Sequence, residues 1–157
     1  VVNATLLKKS YGNYNLRIKK KVLLARDTTE QETARIILQF EQQILDLVRE
    51  RQLHDSGVDG KNSPLKPLYA AITIDHKVRN SQRFDHVTLR DTGKFYKSFQ
   101  TDYGSFELEI FATNEKTPKI TEVYGDNIFL LTTENEKVLS ETIIRPNLLK
   151  YFKTIFK

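Results

Sequence analysis

The sequence predicts a single α+β domain, with a long N-terminal helix packed on a small antiparallel sheet and a C-terminal helix. Three observations predict it. Apolar residues recur at helical spacing from Ala34 to Val48 behind a Thr29-x-x-Glu32 capping pattern. Phe106, Leu108, Ile110 and Ala112 alternate with Glu107 and Glu109, the period-two signature of a half-buried strand. Thr133-x-x-Glu136 repeats the capping pattern and opens a last helix through Leu139, Ile143 and Leu149. At 157 residues the chain suits one domain with a core of its own.

Taken in order, residues 14–26 read as a short helix with Leu16, Val22 and Leu23 on its apolar side. A second helix starts at Thr29, where Thr and Glu side chains would satisfy orphan backbone donors. Ala34, Ile37, Leu38, Ile44, Leu45 and Val48 form its stripe, widened by Ile36, Phe40 and Leu47. So broad a stripe suggests burial on two sides, against its own sheet and a neighbouring subunit. Asp55-Ser56-Gly57 stops that helix, and residues 55–67 read as loop. Pro67 suits the first turn of a helix running to about Val78. After a polar loop over residues 79–87, Phe95, Tyr96 and Phe99 fit one short helix. Lys116 to Tyr124 makes one or two turns closed by Gly125, and Pro146 should kink or split the C-terminal helix.

Composition narrows the chemistry. Apolar residues at 39% and charged residues at 29% describe a globular protein rather than a disordered one. The absence of Cys removes disulfides, thiolate metal sites and cysteine nucleophiles together. No apolar run approaches the roughly 20 residues of a membrane span. The N-terminus has no signal-peptide apolar region, so cytoplasmic synthesis is expected.

Charge is unevenly placed. Residues 1–26 hold seven basic side chains and no acid: Lys8, Lys9, Arg17, Lys19, Lys20, Lys21 and Arg26. The rest of the chain balances to −2 within the net +5. Residues 1–27 are therefore set apart as a basic N-terminal segment ahead of an α+β domain over residues 28–157. Such a head suits a negative partner, whether DNA or an acidic protein surface, although basic runs this short are usually a solvated helix face. Tyr11 and Tyr14 alone do not make a base-stacking platform.

Enzyme motifs fare poorly. Asp91-Thr92-Gly93 matches the triplet of retroviral-type aspartic proteases, in which two desolvated aspartates share a proton. Here Arg90 and Lys94 flank it, and cations favour ionisation instead. Asp91 or Thr92 capping a helix that begins at Gly93 is the simpler reading. Asp55, Asp59 and Asn62 lack the ligand spacing of a calcium loop. His54, His76 and His86 form no metal-ligand pair, and Ser98 has no glycine elbow around it. No cofactor is implied.

What remains is an ordered series. A long helix leads to Gly57-Val58-Asp59-Gly60-Lys61, then Leu65 to Tyr69, then Thr73 and Lys77. Beyond a polar loop comes Leu89-Arg90-Asp91-Thr92-Gly93-Lys94-Phe95-Tyr96-Lys97-Ser98. This series resembles the phage virion-morphogenesis, or tail-completion, family, with its G-x-D-G turn, its T-x-x-x-K helix and its L-x-x-T-G-x-L-x-x-S segment. The resemblance covers residues 28–157, with Phe95 in place of the usual Leu and no His matching the family's late H-x-x-G segment. It implies a structural protein of the head–tail junction, not an enzyme. Such a protein forms a homo-oligomeric ring in the virion and meets portal, adaptor or tail proteins, with no membrane role and contact with DNA as an option for the basic head. A nucleic-acid-binding module is the alternative, and an aspartic protease stands third.

Overall fold

The computed structural model describes the backbone of residues 4–157 and the side chains from residue 17 onward. Helix α1 spans Ala4–Gln39 without interruption. This corrects the expected pair of helices meeting at Thr29. No Pro occurs before Pro64, so nothing obliges the helix to stop at the Thr28-Thr29 step. Thr28 and Thr29 hydroxyls donate back to the Leu24 and Ala25 carbonyls, at 2.7 and 2.6 Å, instead of capping an end. The Glu32 carboxylate, free of any capping duty, accepts from Arg35 and is held below the usual carboxylate range by that hydrogen bond.

One non-helical residue, Phe40, separates α1 from α2 (Glu41–Asp46), and the rod then continues as a π-helical stretch over Leu47–Ser56. Its wider i→i+5 bonding brings Val48, Arg49, Gln52 and Leu53 to the inside. Gly57 ends it in the left-handed conformation, as its place after the last helical residue predicts. The stripe is buried at Ile36, Ile37, Ile44, Leu45 and Val48, but Leu38 is 74% exposed.

The chain then crosses residues 64–70 as a non-helical extension that bends at Lys66 and Pro67, so α3 (Ala71–Arg79) begins four residues after Pro67 and not on it. Two anchors hold that extension: Leu65 is buried and its N–H donates to Gly57 O, while the Tyr69 hydroxyl accepts from Thr88 N at 2.9 Å. α4 is a single turn, Lys94–Lys97. Phe99 does not belong to it, because the Ser98 hydroxyl turns back onto Phe95 O and closes the helix. Phe99 instead opens β1 (Phe99–Gly104), which pairs antiparallel with β2 (Glu107–Ala112) from Phe99–Ala112 to Gly104–Glu107. Phe106 lies in the turn and is 63% exposed, so the strand's core side rests on Ile110 with Leu108 and Ala112.

α5 (Thr117–Tyr124) and a 3₁₀ turn (Asp126–Phe129) lead to α6 (Thr133–Val138). The cap of α6 is Thr132, one residue earlier than expected, and its hydroxyl accepts from Asn135 N. A second π-helical stretch, Leu139–Ile144, precedes α7 (Arg145–Ile155), so Pro146 sits in the first turn of a split helix. α7 lies back along α1, with the Tyr151 hydroxyl donating to Thr28 Oγ1 at 2.6 Å. The core is one cluster in which Ile36, Ile44 and Leu53 of the rod meet Phe95, Phe99, Ile110 and Ile128. Among the described residues no helix is long and apolar enough to cross a membrane.

Candidate functional site

The residues of the Gly57–Lys61 turn each have a structural duty. A Cβ on Gly57 would stand 2.3 Å from the His86 ring, and its φ of +63° already favours glycine. Asp59 Oδ1 accepts from the N–H groups of Lys61 and Ser63, both at 2.9 Å, which folds the turn. Gly60 presses onto the backbone of Leu130 and donates to Asn127 O at 2.8 Å. The turn therefore welds the end of the rod to the segment entering the last helices.

α3 and residues 88–98 form a second joint. Lys77 is buried; its ammonium donates to Arg90 O at 2.6 Å and lies 4.8 Å from the centre of the Tyr69 ring. The Arg90 guanidinium is held by Glu50 at 3.1 Å. Asp91 is 60% exposed at its side chain and stands 3.5 Å from His76 Nε2. Thr92 Oγ1 is 3.4 Å from Lys94 N, a long cap, and Gly93 supplies the positive φ that turns the chain into α4. Phe95 packs edge-on to Phe99 at 5.1 Å between ring centres. Ser98 O accepts from Thr113 N at 3.0 Å and so ties α4 to the hairpin.

Between α3, the Leu89–Asp91 loop and α5 lies a cleft of about 500 Å³, walled by Tyr69, Ile72, Thr73, Lys77, Asp91 and Ile120. The structure thus brings Thr73, Lys77 and Asp91 together from two sequence motifs. The Lys77 ammonium and the Tyr69 hydroxyl are turned to structural partners, and the Asp91 side chain stays exposed beside an imidazole. Among the described residues no group of three His, Asp or Glu side chains is placed to hold a metal.

The basic head is the leading part of α1. Arg17, Lys19, Lys20 and Arg26 are exposed and Lys21 is half-buried, whereas the Lys8 and Lys9 side chains lie outside the described residues. Ile18, Val22, Leu23 and Leu24 are exposed among them.

Two features were missed in the sequence. Inside the helical stripe, buried Arg49 donates to Tyr96 O at 3.2 Å, and buried Gln52 accepts from Thr132 N while donating to Leu130 O. Polar residues at core positions of an apolar stripe were the signal for these. The other is a long groove of about 1240 Å³ beside β2, walled by residues from the hairpin, the 3₁₀ turn and α6. Only the alternating Glu107 and Glu109 hinted at it, since the rest of its wall comes from distant segments.

No protein-family model, curated protein or solved structure matches the chain.

Proposed function

We propose that the chain is a structural virion protein of a phage head–tail junction, completing or joining the tail as a ring of identical copies. It works through assembly contacts with portal, adaptor or tail proteins, without turnover and without a cofactor. One observation carries this reading: the motif residues of the resemblance serve as joints, while charged and apolar faces stay open on the surface. Gly57, Asp59 and Gly60 weld the rod to the C-terminal part. Lys77 and Ser98 bind backbone carbonyls or amides of neighbouring segments. By contrast Leu68 and Ile72 are 67% and 81% exposed, and the basic part of α1 shows both charge and apolar residues to solvent. Open apolar patches rimmed by charge mark protein-interaction surfaces.

The test is loss of the protein during phage growth. Filled heads and separate tails should accumulate in lysates, and the purified chain should restore joined particles when added back. Normal joined particles in its absence overturn the reading.

The exposed row Arg17, Lys19 and Lys20 favours a second reading, in which the leading part of α1 binds nucleic acid. A DNA gel shift that weakens steeply with salt and disappears on Lys19→Glu/Lys20→Glu/Lys21→Glu substitution supports it. A shift unaffected by those changes, or no shift at low salt, rejects it.

A further inference from the structure

We infer that the groove beside β2 receives the basic leading part of α1 from a second copy of this chain, so that copies join head to tail. The inference rests on the ring reading above and gives it a contact.

Five carboxylates line the groove, Asp102, Glu107, Glu109, Asp126 and Glu136, and among the described residues no Lys or Arg lines it. Among the described residues none of the five is in an ion pair. Leu108, Phe111, Leu130 and Leu139 add apolar lining, with Leu130 53% exposed. At about 1240 Å³ it exceeds the roughly 300–1,000 Å³ of small-molecule pockets and suits a polypeptide element.

The leading part of α1 has the inverse pattern. Ile18 and Val22 stand one turn apart on one face and are 41% and 51% exposed. Helical geometry puts Arg17 and Lys21 on one side of that stripe and Lys19 and Arg26 on the other. An apolar strip flanked by basic side chains therefore meets a groove that mixes apolar and acidic side chains.

The hairpin supplies an independent observation. Ser105 and Phe106 both have positive φ, +52° and +62°, in a two-residue turn whose Ser105 lines the groove. Asn-Gly is the sequence that such a turn prefers, and a phenylalanine there is a conformational misfit. Phe106 gains little burial in exchange, being 63% exposed. β1's edge is occupied by Glu41, which accepts from Thr101 N and Oγ1 at 3.0 Å, whereas β2 lies along the groove. A partner that covers Phe106 and β2 accounts for both features. Because the two surfaces differ, the contact is heterologous and closes into a ring or runs on as a filament.

Sedimentation of the full chain tests this with two charge-reversed variants, Arg17→Glu/Lys19→Glu/Lys21→Glu and Glu107→Lys/Glu109→Lys/Glu136→Lys, all at exposed or half-buried positions. At about 0.1 M salt the wild-type chain should assemble, and assembly should fall away towards about 1 M as screening shortens the reach of the charges. Each variant alone should be monomeric and still melt cooperatively, at a temperature that no longer depends on protein concentration, and mixing the two should restore assembly. Carbodiimide cross-linking of mixed ¹⁴N and ¹⁵N wild-type chains should join Lys19 and Lys21 to the groove carboxylates between chains. Ser105→Asn/Phe106→Gly should raise the melting temperature yet weaken assembly. The inference is overturned by a monomeric wild-type chain, by variants that assemble like it, by a mixture that stays monomeric, or by cross-links confined within one chain. A chain that stays monomeric in solution but still restores joined phage particles sinks this contact and leaves the head–tail reading standing.

Discussion

Gly57 and Gly93 both adopt positive φ, yet the two positions differ in what a side chain would meet. Nothing lies within 4 Å of a Cβ on Gly93, so Gly93→Ala should lower stability only by the left-handed conformational penalty, about 1 kcal/mol. Gly57→Ala adds a collision with the His86 ring and should cost about 2–4 kcal/mol, measured by urea unfolding of both variants. Similar losses for the two would contradict the packing assigned to Gly57. Tyr96 illustrates burial of another kind. Its hydroxyl donates to Thr88 O, and burial pushes its phenol well above the usual tyrosine range, with the Glu50 charge acting in the same direction. Tyr96→Phe should lose about 1 kcal/mol at neutral pH by orphaning that carbonyl. The sign above neutrality follows from linkage: below pH about 10 the phenol is neutral whether folded or unfolded, and above it only the unfolded chain ionises freely. Stability therefore falls as pH rises past that value, and Tyr96→Phe should show a shallower fall between pH 9 and 11, read by thermal melting at each pH.

At the scale of elements, the rod and the C-terminal helices are joined by a polar clasp in a dry place. Gln52 Oε1 accepts from Thr132 N at 3.1 Å, its Nε2 donates to Leu130 O at 2.9 Å, and Asn135 Nδ2 donates to Leu47 O at 2.8 Å. Leu47 lies in the π-helical stretch, and its carbonyl takes this amide from α6. Gln52→Leu keeps the volume roughly constant but strands a buried donor and a buried acceptor, so it should cost about 2–4 kcal/mol in chemical denaturation. A neutral result would show that the clasp is replaced by water. The same elements show where sequence periodicity is readable. Phe99, Thr101 and Tyr103 alternate with exposed Gln100 and Asp102, so β1 carried a period-two signal that its aromatic neighbours Phe95 and Tyr96 masked.

For the whole molecule, the contrast lies between the two parts of α1. From Thr33 onward one face of the helix is enclosed: Thr33 is buried, and Ile36 and Ile37 enter the core. Ahead of Ala25, where α7 gives its cover, Ile18, Val22, Leu23 and Leu24 are exposed. In the free chain, amides of residues 17–24 should therefore exchange with deuterium far faster than those of residues 36–53, because exposed helix opens without disturbing the core. In the assembled state the same amides should become protected. Equal protection of both stretches in a monomeric sample would refute the division.

The sequence by itself determined the α+β class, the long helix, the stop at Gly57, the β2 alternation and the lopsided charge, because each is a local pattern of spacing or turn chemistry. Near the helix ends it misjudged single steps: Thr29 and Thr133 look like caps, but a threonine hydroxyl also bonds backward within a helix or yields to the residue before it. Only the tertiary structure decided which polar residues are buried, since Gln52 finds its partners some 80 residues away. Likewise it alone assembled the acidic groove, whose wall draws on three separate segments of the chain. Burial and surface shape depend on contacts remote in sequence, and no local periodicity encodes them.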